Sequence, residues 1–141
     1  MFELISYSKQ RVRYSETDAM GVVYYSNYLA WFEVGRTDWF RETGRTYRML
    51  EEEGIILPVV EAHCRYVSSA QYDDSIVIIT EWQDSPDIYF TFQYKVVREP
   101  DQQLLAEGWT KHLCVNHDGH IQRGETKRLK ESCRKLNLPK A

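Results

Sequence analysis

One segment limits the fold more than any other. Residues 28–42 carry apolar side chains around most of a helical circumference. Tyr28, Trp31, Phe32, Gly35 and Trp39 recur at helical spacing, and Leu29, Val34 and Phe40 widen the apolar surface beyond a single stripe. A helix apolar on so many sides has to be enclosed. Ser26 or Asn27 can cap its start, and Gly44 is a stop signal behind Glu42.

The material available to enclose it is strand. Residues 2–14 read as a first strand. After a short helical piece at Tyr47–Glu53, ended by Gly54, residues 58–69 alternate, with Val60, Ala62, Cys64 and Tyr66 on one face and Glu61, His63 and Arg65 on the other. Residues 76–82, 89–97 and 104–115 are β-branched or aromatic runs. Asp118-Gly119 marks a tight turn, and residues 83–87 turn between two strands. Residues 125–136 read as a basic, solvated terminal helix. One buried helix, a strand before it and about four antiparallel strands after it give an α+β layout in which a sheet wraps a helix. At 141 residues, without repeats or linkers, residues 1–141 are expected to form a single domain.

Composition excludes several functions. The formal charge of −3 argues against a nucleic-acid partner. No window approaches the roughly 18 apolar residues of a membrane span, and the start does not read as a signal peptide. Three widely spaced cysteines, Cys64, Cys114 and Cys133, make a disulfide framework unexpected and a cytoplasmic location the natural reading. Gly-x-Ser-x-Gly, P-loop and Gly-x-Gly-x-x-Gly motifs are absent, and Ser132-x-x-Lys135 lies in the charged tail without supporting residues.

Chemistry concentrates in Tyr14-Ser15-Glu16-Thr17-Asp18-Ala19-Met20-Gly21-Val22-Val23-Tyr24-Tyr25. A loop carboxylate, Asp18, precedes a glycine, and a helix N-terminus follows. Backbone N–H groups at a helix start can hold a developing oxyanion. A carboxylate beside them could attack an acyl carbonyl or activate water. A thioester suits this pair of groups, because thiolate leaves with little help from an acid. The competing reading is structural: Ser15-x-x-Asp18 also matches a capping box.

The segment resembles the signature of the 4-hydroxybenzoyl-CoA thioesterase family, in particular its YbgC-like acyl-CoA thioesterases. The residues that carry the resemblance are Tyr14, Thr17, Asp18, Gly21, Val22, Val23, Tyr24, Asn27 and Tyr28. Trp31-Phe32-Glu33-x-x-Arg36-Thr37 continues it, and a second stretch runs from Pro58 through Tyr66 and Ala70 to Asp74. The resemblance implies a hotdog fold, with a five- or six-stranded antiparallel sheet around the long helix. It implies an acyl-CoA substrate, no metal and no cofactor, and a homo-oligomer (dimer or tetramer) with its site between protomers. Asp18 falls on the family's catalytic aspartate, and the Tyr25 amide on the group that polarises the carbonyl. Gly21, Tyr28 and His63 are further substrate-binding candidates, His63 from across the dimer. Glu16 departs from the pattern, which commonly has Asp there, and is expected to orient the loop by a hydrogen bond.

The acidic turn at residues 83–87 makes a CoA phosphate site there doubtful, which leaves Arg65, Lys111, Arg123 and Arg128 as weak candidates. His112, Cys114, His117 and His120 lack convincing zinc spacing. Glu33 and Arg36 are expected to form an i,i+3 salt bridge, with Glu33 a minor second carboxylate candidate. Two other functions remain open: a non-catalytic acyl-CoA-binding protein, and an enoyl-thioester hydratase. The second would want a histidine base, and none lies near Asp18 in the sequence.

Overall fold

The computed structural model describes residues 4–136, so the Phe2 end of the expected first strand lies outside the described residues. β1 (Ile5–Arg11) is followed by a single 3-10 turn at Tyr14–Glu16, then α1 (Asn27–Glu42), α2 (Tyr47–Glu52), β2 (Val59–Tyr66), β3 (Ser75–Gln83), β4 (Phe90–Glu99), β5 (Gln103–His112) and α3 (Arg123–Leu136). The strands form one antiparallel sheet in the order β1-β3-β4-β5-β2. This is the hotdog arrangement, with α1 lying across the sheet.

α1 is enclosed because its bulky residues leave no other choice. Tyr28, Trp31, Phe32, Trp39 and Phe40 are each at most 3 % exposed, and burying one such side chain stabilises by roughly 1.5–3 kcal/mol. Phe32 stacks on Tyr94 of β4 at 4.2 Å, while Trp39 and Phe40 meet Phe92 edge-on. Gly35 sets how closely helix and sheet approach. A Cβ there would stand 2.2 Å from Thr80 Oγ1 and 2.9 Å from Ile78 Cγ2, so any side chain would push α1 off β3. Gly44 ends the helix at φ +86, as its position predicts. Neither expected cap works through its side chain: Ser26 makes no capping hydrogen bond, and the Asn27 amide donates instead to the Glu16 carbonyl at 2.8 Å.

Two departures from the sequence reading matter below. α3 is not solvated on all sides. Thr126, Leu129, Lys130 and Cys133 are buried, and the Lys130 ammonium donates to the Ser85 and Asp87 carbonyls at 2.8 and 2.6 Å. Arg134 pairs with Asp84 at 2.7 Å. The acidic turn therefore docks α3. β2 has the opposite character. It is the sheet edge beside β5, and every residue but the half-buried Cys64 is exposed. The alternation is as expected, because Ala62 pairs with Thr110 and Tyr66 with Ala106 on the helix-facing side, while His63 pairs with Trp109 on the other.

Candidate active site

The Asp18 loop is a small closed structure. Asp18 N–H donates to the Val22 carbonyl at 2.9 Å, and Gly21 N–H donates to the Asp18 carbonyl at 3.0 Å. Gly21 has φ +79, a conformation that glycine adopts without strain. Thr17 bridges Val23, and Val22 bridges Gln71. Tyr24 N–H reaches back to the Glu16 carbonyl at 2.9 Å. The chain thus leaves β1, turns at Asp18–Gly21 and runs back beside itself into α1. That path sets the carboxylate and the helix start at two points of one folded loop.

Glu16 holds the loop in this shape. It is only 8 % exposed. One carboxylate oxygen accepts from Arg13 N–H at 2.8 Å, the other from Trp31 Nε1 at 2.9 Å. The second bond ties the loop to the buried face of α1. The expected loop-orienting hydrogen bond is therefore present, twice. At the start of the 3-10 turn it is Glu16, not Asp18, whose carboxylate takes the Arg13 N–H.

Asp18 is half-buried. Its Oδ1 accepts from Met20 N–H at 2.8 Å, closing the turn. Among the described residues its other oxygen has no partner, and no cation pairs with it. The Tyr24 hydroxyl stands within its field: the pKa of Tyr24 is raised, first by the hydrogen bond and charge of Tyr25 and to a lesser degree by Asp18.

At the helix start, Tyr25 and Ser26 N–H donate to nothing among the described residues, whereas the Tyr25 carbonyl accepts from Tyr28 N–H at 3.3 Å and from the Tyr66 hydroxyl at 3.0 Å. A Tyr25 amide with its carbonyl pinned and its N–H free is what an oxyanion donor requires. The sequence puts the pinning residue, Tyr66, on a strand face but assigns it no role at the helix start. The bond spans 41 residues and leaves no local signal.

The remaining candidates divide. Tyr28 is 2 % exposed, and its hydroxyl accepts from Ala70 N–H at 3.3 Å, so it supports the site from behind. His63 is not brought to Asp18 within one protomer. It stacks on Trp109 at 5.6 Å, on the sheet face away from α1, where the two residues line an open cavity of about 610 Å³ with Arg65, Lys95 and Glu107. Arg65 pairs there with Glu107, and Lys111 with Glu61. Arg128 pairs with Glu125. The expected Glu33–Arg36 pair does not form; Glu33 stands exposed while Arg36 is half-buried.

His112 is buried between Thr110 and the Leu57 carbonyl at 2.8 and 3.0 Å, and burial pushes its pKa down to about 4. Among the described residues no three His, Cys, Asp or Glu side chains converge as a metal cage. No helix among them is long and apolar enough to cross a membrane.

With this geometry in view, the relatives are informative. Residues 12–140 match the model of the thioesterase-like superfamily. The acyl-CoA thioesterase YbgC of Haemophilus influenzae is 32 % identical over 107 residues, covering 75 % of this chain and 77 % of that protein. The 4-hydroxybenzoyl-CoA thioesterase of Pseudomonas sp. (strain CBS-3) is 30 % identical over 117 residues, covering 79 % and 83 %. Among solved structures, a DHNA-CoA thioesterase from Staphylococcus aureus superposes with a TM-score of 0.85 at 30 % identity, covering 94 % and 90 %. A 4-hydroxybenzoyl-CoA thioesterase carrying an aspartate-to-asparagine change, complexed with 4-hydroxybenzoyl-CoA, superposes with a TM-score of 0.74 at 25 % identity, covering 83 % and 88 %.

Proposed function

The chain belongs to the thioesterase-like superfamily and is a thioester hydrolase of the acyl-CoA class, and we propose that Asp18 is the carboxylate that carries the reaction. The observation behind this is the pairing of an Asp18 oxygen without a partner and a free Tyr25 N–H on one closed loop. The thioester carbonyl oxygen would lie at the Tyr25 amide, at the positive end of α1, where developing negative charge is stabilised. Asp18 then either takes a proton from the attacking water or attacks the carbonyl itself to form a mixed anhydride that water opens. Both routes expel CoA as thiolate and use the same two groups. The relative complexed with its CoA thioester in an aspartate-to-asparagine form supports a carboxylate that can be replaced without loss of binding.

The working unit is a homo-oligomer, dimer or tetramer. β2 supports this: an eight-residue edge strand exposing Val59, Val60 and Tyr66 invites pairing with a second copy. The three free thiols suit a reducing compartment. The non-catalytic binding reading and the hydratase reading lose ground here. Asp18 is intact and partly unpartnered, and no histidine side chain lies in its loop.

A free-thiol release screen over short, long and aromatic acyl-CoA thioesters, run with chelator on size-fractionated protein, tests the whole reading. Turnover is expected in the dimer or tetramer fraction and unaffected by chelation. Substrate binding without thiol release would overturn the catalytic reading, and an active monomer the oligomeric one.

A further inference from the structure

The start of α1 presents two amide donors, not one, and the chain's own hydrogen bonds fix their direction. A trans peptide is planar, with its C=O and N–H pointing opposite ways. The Tyr24 carbonyl accepts from Asn27 N–H at 3.0 Å, so it points into the helix. The N–H of the same peptide unit belongs to Tyr25, and it points out past the helix start. The next unit repeats the arrangement. The Tyr25 carbonyl accepts from Tyr28 N–H at 3.3 Å, and the N–H on the opposite side of that unit belongs to Ser26. Tyr25 and Ser26 N–H therefore leave the helix in the same direction, and neither has a partner among the described residues.

The second unit carries a bond from outside the helix. The Tyr66 hydroxyl of β2 donates to the Tyr25 carbonyl at 3.0 Å, using the lone pair that Tyr28 N–H leaves. It is the shorter of the two bonds, so Tyr66 is the main restraint on this unit. A hydrogen bond to a carbonyl draws electrons from the whole amide, and the N–H of that amide becomes a stronger donor, by roughly 10–30 % per bond. The N–H so strengthened is that of Ser26.

Tyr66 is itself held for this task. Its ring meets Tyr25 edge-on at 6.3 Å and Tyr28 edge-on at 5.2 Å. Tyr28 is fixed in turn, being buried and bonded to Ala70 N–H at 3.3 Å. Partial burial, and after it the neighbouring Cys64, pushes the Tyr66 pKa up to about 12. The hydroxyl thus keeps its proton, and stays a donor, throughout the neutral range.

We propose that Tyr66 is a positioning residue for thioester hydrolysis: through the Tyr25–Ser26 peptide unit it aims and polarises Ser26 N–H, which joins Tyr25 N–H as a second donor to the thioester oxygen. The inference rests on the thioesterase reading above, in which the helix start receives that oxygen. Negative charge grows on the oxygen as the carbonyl is attacked, so a strengthened donor acts mainly in the transition state. The mark of Tyr66 is therefore on kcat and not on KM.

Tyr66→Phe removes the hydroxyl and keeps both ring contacts. A donor at an oxyanion site is worth about 10²–10³ in kcat. Here the donor stays and only its aim and polarisation are lost, so kcat should fall about fivefold to thirtyfold, with KM nearly unchanged, for octanoyl-CoA and benzoyl-CoA alike. A second readout needs no turnover. In Asp18→Asn, with either thioester isotopically labelled at its carbonyl carbon, the infrared carbonyl band of the bound ligand should lie below that of the free thioester. In the double variant Asp18→Asn, Tyr66→Phe that downshift should shrink. A tyrosine that merely braces β2 against α1 would lower the melting temperature and move neither readout. That result overturns the proposal, as does a loss confined to KM. A downshift that is present in Asp18→Asn and equal in the double variant shows that Tyr66 alone is wrong. An unshifted band in Asp18→Asn means that the helix start does not receive the carbonyl, and the function reading falls together with the proposal. If the wild type hydrolyses neither thioester, the function reading fails on its own, and the band decides the role of Tyr66.

Discussion

The turn at residues 83–89 and the loop at residues 14–26 each carry two carboxylates beside a helix, and each looks acidic in the sequence. In the turn, Asp84 meets Arg134 at 2.7 Å and Asp87 meets Lys130 at 3.6 Å. Both charges are matched by α3, and the result is a docking surface. In the loop the two acids are treated differently. Glu16 is buried and takes donors from Arg13 and Trp31 with its two oxygens. Asp18 keeps one oxygen for the turn and leaves the other without a partner. An acid whose charge is matched by a cation, as in Asp84 and Asp87, or whose two oxygens are both engaged, as in Glu16, builds structure. One with no cation and a single hydrogen bond, on the same loop as a free amide, is available for chemistry.

The largest expected effect breaks that contrast at its active end. Asp18→Asn keeps size and the Met20 contact but removes the charge. Turnover should fall roughly 10²–10⁴-fold, the usual contribution of a positioned acid–base group. Melting temperature, oligomeric state and binding of a non-hydrolysable CoA thioester analogue should be retained. If Asp18 only closes the turn, asparagine does that as well and both rate and stability stay near wild type. Steady-state turnover and a melting curve of this one variant separate the two roles.

A smaller and differently shaped effect is expected at Glu16. Glu16→Gln turns one oxygen into a donor, so either the Arg13 amide or the Trp31 indole N–H loses its acceptor. An unsatisfied buried donor costs about 1–3 kcal/mol. Stability should drop by that much, and turnover should drop with it, because the loop that aims Asp18 is loosened. The signature is the joint loss; Asp18→Asn loses rate alone. A Glu16→Gln protein with normal melting and normal rate would show that the loop holds its shape without this carboxylate.

The sequence carried the architecture well wherever periodicity is local. α1, the five strands and the turns at Gly44, Gly54 and Gly119 follow from spacing and from glycine. It carried Asp18 and the helix start for the same reason, since both lie within one stretch of a dozen residues. It misled where a partner comes from far along the chain. Lys130 reads as a solvated charge, but its acceptors lie 45 and 43 residues away in the turn. Arg36 reads as an i,i+3 partner of Glu33, but its charge acts on the buried Tyr47 and Tyr94 hydroxyls. His63 was placed on the correct alternation. Which alternating set faces the helix was decided by the pairing of β2 with β5, which spacing does not encode. Tyr66 belongs to the same class, since only the folded chain brings it to Tyr25.

The smallest expected effect tests the structural end of the comparison. The hydrogen bond from Arg134 holds the Asp84 carboxyl below its ordinary value of 3.8. An acid held this way gives up its proton more readily in the folded chain than in the unfolded one. It therefore contributes stability that is complete above the ordinary value and is lost as pH falls through the folded value. Asp84→Asn should remove that part of the acid limb: below about pH 4 its stability should fall less steeply than that of the wild type. Asp84 and Arg134 side chains are 44 % and 45 % exposed, so solvent screening keeps the cost at neutral pH within about 0.2–1 kcal/mol. Turnover should not change, because Asp84 lies on the turn that holds α3 and not on the Asp18 loop. Urea unfolding of wild type and variant between pH 3 and pH 7, with thiol-release assays at neutral pH, measures both. Parallel acid limbs would mean that α3 is held by Lys130 and its buried apolar face alone. A loss of turnover in Asp84→Asn would mean that the two acidic loops are coupled and that their division of labour is wrong.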